Sequence, residues 1–417
     1  MKTLIYPSVL SGCVQAPASK SYTQRMLICA ALSANPCELI CNNTCGDVLK
    51  TISCLNALGA DIKCDGDTVS VNPIRTPRSG AVLDCGESGA TLRFMLPLCC
   101  ALGVECEFIL GERLSKRPIK PLTDELSRHG IRIDSTAGGL KISGRLKDNE
   151  LNVPSDISSQ YVSGCLLALS AMGGGSVNIT SDINSAPYID MTVSVLRECG
   201  VELWKSDGKI LVRGRPNVKG RVMCEGDWSG AAFWLCAAAI GKMPISVSGL
   251  DINSAQGDKR ILDILRGFGA LVDIKQDIIT VSPAPLSTAI IDASDIPDLV
   301  PILSVLCACA NGVSTIRGTA RLRTKESDRV VSVCDMLSSL GGSVKASDDE
   351  IKIYGTGLSG GSVNTFGDHR IIMSAAAASN ACSKPIVLDR CEGYDKSYVG
   401  FLRDLSVLGG KYERIQG

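Results

Sequence analysis

Aromatic side chains make up only 4% of the 417 residues, and histidine occurs just twice. With 45% hydrophobic residues the chain can still build two or more cores, but mainly from aliphatic side chains. Net charge is missing as well. The 43 basic residues balance the 43 acidic ones, so no broad surface for nucleic acid is expected, and any anion site must come from locally clustered cations. No apolar run reaches the length of a membrane span, and Met1 to Pro7 is too short and interrupted for a signal peptide. A cytoplasmic protein without a membrane partner is expected. The 20 cysteines include no C-x-x-C, the nearest pattern being Cys37-x3-Cys41-x3-Cys45. They read as small core residues in a reducing compartment, as at Cys307 and Cys309 within an apolar run. No metal and no cofactor are expected.

What is present is repetition. The pattern L-x-x-x-G recurs at Leu55, Leu126, Leu196, Leu265, Leu337 and Leu405, at an almost even spacing of about 70 residues. Each glycine (Gly59, Gly130, Gly200, Gly269, Gly341, Gly409) falls where a helix would close in the left-handed conformation. After it comes a strand, a turn and a second strand, as at Ala60-Asp61-Ile62-Lys63-Cys64, Asp65-Gly66-Asp67 and Thr68-Val69-Ser70-Val71. Upstream in each repeat lies an apolar helix with a polar start: Ser19 to Leu32, Glu87 to Leu102, Ser158 to Met172, Asp227 to Ile240, Ile296 to Ala310 and Asp368 to Ser379. Few charges lie beyond the first turn of these helices, so they are expected to be interior.

The sixth repeat ends too soon for a full hairpin, and Lys2 to Val14 offers strand-like sequence to complete it. The chain therefore reads as two domains of three repeats, residues 19–226 and residues 1–18 plus 227–417, although periodicity alone leaves one continuous solenoid open.

The chemistry sits at the helix starts, where unpaired N–H groups and partial positive charge suit phosphate and carboxylate. Arg321 to Arg329 crowds four cations and two carboxylates into nine residues. A carboxylate held among cations stays oriented, so Glu326 could move a proton while Lys325 and Arg329 hold an anion; the alternative is a solvated helix start. Ser158-Ser159-Gln160 offers two hydroxyls and an amide, or an ordinary N-cap. Cys85-Gly86-Glu87-Ser88-Gly89 puts glycines where a backbone could approach an anion, with Arg93 about two turns in.

Taken in order, Ala18-Ser19-Lys20-Ser21 with Arg25, Glu87-Ser88-Gly89 through Arg93, Lys116-Arg117-Pro118, Ser158 to Tyr161, Ser185-Ala186-Pro187-Tyr188, Ile296-Pro297-Asp298, Lys325 to Arg329, Asp368-His369-Arg370 and Asp395-Lys396-Ser397 make the whole chain resemble the 5-enolpyruvylshikimate-3-phosphate synthases. These are the 3-phosphoshikimate 1-carboxyvinyltransferases of the shikimate pathway, which leads to chorismate and the aromatic amino acids. The resemblance implies an α/β (α+β) fold of two inside-out domains, each of three β-α-β-α-β-β repeats with buried helices and outer sheets. It implies two small-molecule substrates, shikimate 3-phosphate and phosphoenolpyruvate, and a monomer is expected.

Carried over residue by residue, shikimate 3-phosphate would meet Lys20, Ser21, Arg25, Ser158, Ser159, Gln160, Ser185, Tyr188, Asp298 and Lys325. Phosphoenolpyruvate would meet Lys20, Gly89, Arg93, Arg117, Gln160, Arg329, Arg370 and Lys396. Lys20, Asp298 and Glu326 would be catalytic, Glu326 serving the methylene proton and Asp298 the hydroxyl proton. These residues divide between the two expected halves. Glu87, Ala90, Phe94 and Arg321 depart from the family's usual residues, and Glu87 would have to pair with a neighbouring cation or point away from the anion site. The related UDP-N-acetylglucosamine enolpyruvyl transferases carry a loop cysteine before an Arg-Pro dipeptide, and Gly111 to Lys116 has none. A non-catalytic binding protein on the same repeats would not need Lys20, Asp298, Glu326 and Lys396 together.

Overall fold

All six glycines of the repeated pattern have positive φ, between 82° and 111°. In every copy the leucine carbonyl accepts a hydrogen bond from the residue after the glycine (Ala60 to Leu55, Ile131 to Leu126, Val201 to Leu196, Ala270 to Leu265, Gly342 to Leu337, Gly410 to Leu405). This is the Schellman closure, which needs a residue tolerant of the left-handed region at that one position. The repeat in the sequence is thus the repeated stop signal of a helix.

The computed structural model describes residues 2–415. Twelve α-helices are present among them: α1 (Lys20–Ala31), α2 (Gly46–Ala57), α3 (Gly89–Leu102), α4 (Lys120–Arg128), α5 (Ser159–Met172), α6 (Ala186–Glu198), α7 (Trp228–Ile240), α8 (Ile261–Gly267), α9 (Val300–Ala308), α10 (Arg329–Ser339), α11 (His369–Ala378) and α12 (Phe401–Val407). The odd-numbered helices are buried on nearly every face; in α7 only Ile240 is not. Most of these sequences are apolar all round, so burial on all sides is their stable solution, while α1 buries Gln24 and Arg25 by hydrogen-bonding them to Thr51 and Thr192. No helix among the described residues is long and apolar enough to cross a membrane.

Among the described residues, six four-stranded sheets accompany the helices. Their strands alternate buried and exposed residues, as in Thr68–Asn72, so each presents one face to a core and one to solvent. The chain divides into two compact units, one inserted (Lys20–Cys224) and one built from both termini (Met1–Ser19 with Glu225–Gly417). Each has three sheets of one plan: two parallel strands, one of which also pairs antiparallel with a two-stranded antiparallel pair, a hairpin in five of the six described sheets.

Two details differ from the sequence reading. The amino-terminal segment serves two sheets. Lys2–Tyr6 completes the sixth repeat, pairing with Ile386–Asp389 and Lys411–Ile415, whereas Gly12–Gln15 runs parallel to Ile245–Ser248 in the fourth. Several helices also start later than expected, because Ser88, Ser158, Asp227 and Asp368 act as N-caps whose side chains accept N–H bonds from the first turn. The shift is largest at α9, which begins at Val300, leaving Asp298 in the turn before the helix mouth.

Candidate active site

In the inserted unit, cations stand at the start of α1, one turn into α3 and in the turn before α4. Lys20, the first residue of α1, forms an ion pair of 3.1 Å with Asp47 near the start of α2. Arg93, one face of α3 inward from Gly89, donates to the Gln160 side-chain oxygen at 2.8 Å and to the Pro118 carbonyl at 3.0 Å. The same carbonyl accepts from the Tyr161 hydroxyl at 2.7 Å, so one backbone oxygen ties the Arg117-Pro118 turn to α3 and α5. Gly89 makes this convergence possible. A Cβ there would lie 2.6 Å from an Arg93 Nη and 2.8 Å from an Arg117 Nη, closer than nonbonded atoms come. The backbone of the α3 start therefore faces two guanidiniums with nothing between, a cradle for a phosphate or carboxylate.

Arg25 is buried, and its guanidinium donates to the hydroxyls of Thr192 (2.7 Å) and Ser163 (3.4 Å) and the carbonyls of Ser21 (2.7 Å) and Tyr188 (3.1 Å). It also lies 4.8 Å from the Phe94 ring centroid. Burial lowers its pKa to about 10, still charged at neutral pH, so a positive residue links Ser21 and Tyr188. Ser185 precedes α6 with φ of 56°, a left-handed conformation that costs a non-glycine residue on the order of 1 kcal/mol. Ser158 caps α5 and Ser159 is buried in its first turn. Glu87 accepts N–H bonds from Arg113 (3.2 Å) and Leu114 (2.8 Å), anchoring the turn that precedes Arg117. Its place as a loop anchor accounts for an acid beside an anion cradle.

The terminal unit holds a different cluster. Arg329, fully buried at the start of α10, bonds three carboxylates: Asp298 and Glu326 at 2.8 Å each and Asp368 at 2.9 Å. Arg370 at the start of α11 bonds the Asp298 carboxylate at 2.7 Å and its carbonyl at 3.3 Å. Asp298 and Glu326 are thereby fixed on adjacent nitrogens of one guanidinium. Burial opposes the charge of Asp298, but Arg370, Arg329 and Lys325 outweigh it and hold the carboxyl well below its usual range. Burial lowers the Lys325 pKa to about 8 against the pull of Asp298. Arg329, also desolvated, is held firmly charged by Asp368, Glu326 and Asp298. Lys396 ends a 3-10 turn, Cys391–Lys396, whose Gly393 packs against Ile372 of α11.

A sequence model of the family described as EPSP synthase (3-phosphoshikimate 1-carboxyvinyltransferase) matches residues 6–405. The chain belongs to the EPSP synthase family. It is 36% identical over 421 residues to the 3-phosphoshikimate 1-carboxyvinyltransferase of Clostridium kluyveri, covering 98% of this chain and 97% of that one. It is also 36% identical to the enzyme of that name from Methanocorpusculum labreanum, with 98% and 99% covered. Among solved structures, EPSP synthase from Acinetobacter baumannii superimposes with a TM-score of 0.82 at 25% identity, covering 99% and 100% of the two chains. The enolpyruvyl transferase NikO from Streptomyces tendae shares the fold, with a TM-score of 0.79 at 20% identity.

Within each unit, then, the residues singled out in the sequence stand at helix starts or in the turns before them. Three groups had not been singled out: Asp47 on Lys20, the Pro118 carbonyl on Arg93, and Asp258, a buried carboxyl that meets the Ser229 hydroxyl at the start of α7. Asp47 and Asp258 each follow a glycine at a helix or turn start, but that placing does not reveal which side chain packs against them.

Proposed function

We propose that this protein transfers the enolpyruvyl group of phosphoenolpyruvate to the 5-hydroxyl of shikimate 3-phosphate, releasing phosphate. The observation that carries the chemistry is Arg329 gripping Asp298 and Glu326 together. Addition of an alcohol to an enol carbon needs one proton delivered to the methylene and one removed from the hydroxyl, while charge on phosphate and carboxylate is neutralised. In this reading Asp298 takes the hydroxyl proton and Glu326 serves the methylene. Loss of phosphate from the tetrahedral adduct then reverses the proton traffic at the methyl group.

Asp298 is a weak base while two guanidiniums hold it. An anionic substrate that engages Arg370 and Arg329 would draw their charge away from Asp298 and raise its basicity at the moment the hydroxyl is bound. Phosphoenolpyruvate is assigned to Gly89, Arg93, Arg117, Gln160, Arg329, Arg370 and Lys396, with Lys20 assisting. Shikimate 3-phosphate is assigned to Ser21, Ser158, Ser159, Gln160, Ser185, Tyr188 and Lys325, with Arg25 holding Ser21 and Tyr188. The same reading has the enzyme working as a monomer in the cytoplasm, a compartment supported by the free thiols among the described cysteines. A coupled phosphate-release assay tests it: phosphate should appear only when both substrates are present. Release from phosphoenolpyruvate alone, or none with the pair, would overturn it.

A further inference from the structure

Successive residues of α1 reach in different directions. Arg25 extends to α5 and α6, where it bonds Ser163, Thr192 and the Tyr188 carbonyl, whereas Gln24 extends to α2 and α3. The Gln24 side chain is completely buried. Its Nε2 lies 3.2 Å from the Asp47 carbonyl and 2.9 Å from the Thr51 hydroxyl on α2, and 3.2 Å from the Thr91 hydroxyl and 3.4 Å from the Ser88 hydroxyl at the start of α3. An amide nitrogen carries two hydrogens, so these four oxygens form one shared cage around it. The hydroxyls close the cage among themselves: Thr51 and Thr91 are 2.9 Å apart, Thr91 and Ser88 2.8 Å, and the Thr51 hydroxyl lies 3.2 Å from the Asp47 carbonyl.

The two helix starts joined in this way carry Asp47, which holds the Lys20 ammonium at 3.1 Å, and Gly89, whose backbone faces Arg93 and Arg117. The α2 start has no side-chain cap of its own, since Cys45 makes no such bond, and the Gln24 cage is what ties it to α3. The arrangement has a cost. Oε1 of Gln24 is buried without a hydrogen-bond partner, which an apolar side chain of similar size would avoid. Removing the amide would also leave the three hydroxyls bonded to one another and to the Asp47 carbonyl. Stability alone thus gives little reason for glutamine at this position, whereas the placing of two helix starts does.

We propose that Gln24 is a positioning residue for phosphoenolpyruvate that acts through the starts of α2 and α3, holding the Lys20–Asp47 pair in place against the Gly89 cradle. Its neighbour Arg25 does the corresponding work for Ser21 and Tyr188, which the functional reading gives to shikimate 3-phosphate. The inference rests on the assignment of Gly89, Arg93 and Arg117 to phosphoenolpyruvate. Ser158, Ser159, Ser185 and Tyr188 stand on α5 and α6 or at their caps, and none of the cage bonds reaches them.

The test is the ratio of the two KM values, with thermal unfolding alongside, in the wild-type enzyme, Gln24→Met, Thr51→Val, the double variant and Arg93→Gln. Gln24→Met keeps the bulk and loses the donor. KM for phosphoenolpyruvate should rise about three- to tenfold, the factor that the net contribution of one hydrogen bond represents, while KM for shikimate 3-phosphate changes by less than about twofold. Tm should stay near the wild-type value. Thr51→Val opens the same cage from α2 and should shift the ratio in the same direction, which decides the question if Gln24→Met does not fold. The double variant should lose no more than the larger single effect, because both substitutions break one network. A merely structural role would instead lower Tm and raise both KM values together, and that result would overturn the proposal. Arg93→Gln separates the two layers: if it leaves KM for phosphoenolpyruvate unchanged, the assignment of this substrate to the cradle fails and the inference with it. If it raises that KM while Gln24→Met and Thr51→Val keep the wild-type ratio, the assignment stands and Gln24 has no such role.

Discussion

The two units are built from one repeat, yet their helix starts hold cations in opposite ways. In the inserted unit Arg25 and Arg93 are bonded to hydroxyls, an amide and backbone carbonyls, groups without net charge. In the terminal unit Arg329 and Arg370 are bonded to carboxylates. A guanidinium oriented by neutral acceptors keeps its full charge for a ligand, which favours binding. One bonded to carboxylates spends its charge on aligning them and, at Asp298, on holding the carboxyl ionised, which favours proton transfer that begins when a ligand disturbs the balance. Lys20, paired with Asp47, is the exception in the inserted unit, in keeping with its expected share in both tasks.

The sharpest way to break this contrast is Glu326→Gln. The amide keeps the size and a hydrogen bond to Arg329 but has no transferable proton, so kcat should fall about 10²–10⁴-fold, with both KM values changed far less. Steady-state kinetics with each substrate varied would show it. A kcat within a few-fold of wild type would move the terminal cluster to the binding side of the comparison.

Gly89→Ala probes the other side. The added methyl must displace the ends of Arg93 and Arg117. Those ends are flexible, so the fold should survive, but the cations leave the α3 backbone that would share the anion with them. KM for phosphoenolpyruvate should rise about tenfold or more, equivalent to one good charge-assisted hydrogen bond at about 1.4 kcal/mol or above, with kcat affected less. Equal loss in kcat and in KM for shikimate 3-phosphate would mean that the cradle does not serve one substrate.

How much of this was legible in the sequence depends on whether the signal is local. The Leu-x-x-x-Gly closures and the Ser and Asp caps are set within five residues of chain, and they appear in the structure where the pattern put them, apart from shifts of a residue or two at helix starts. The α9 start was misplaced because Pro297 and Pro301 bracket a turn that apolarity alone reads as helix. Asp258 was missed for a different reason. Nothing in Gln256-Gly257-Asp258 reveals that the carboxyl will be buried against Ser229 of α7, because burial of a carboxyl is decided by packing partners distant in the chain. The Pro118 carbonyl is beyond sequence reading altogether, since every residue carries one.

The smallest expected effect concerns Lys325, which belongs to the carboxylate-rich cluster yet is assigned to binding. Burial pushes its pKa down to about 8, and Arg329 and Arg321 add to the push, while Asp298 and Glu326 resist. A lysine with a lowered pKa is charged below that value and neutral above it, so the ammonium offered to shikimate 3-phosphate disappears as pH rises through 8. KM for shikimate 3-phosphate should therefore climb a few-fold between about pH 7.5 and 9, by at most a factor of ten per unit once the group titrates. Lys325→Met should have a higher KM at neutral pH and no climb above it. If the variant climbs in parallel with wild type, the titrating group lies elsewhere, and Lys325 belongs with the residues that hold Asp298 rather than with those that hold the substrate.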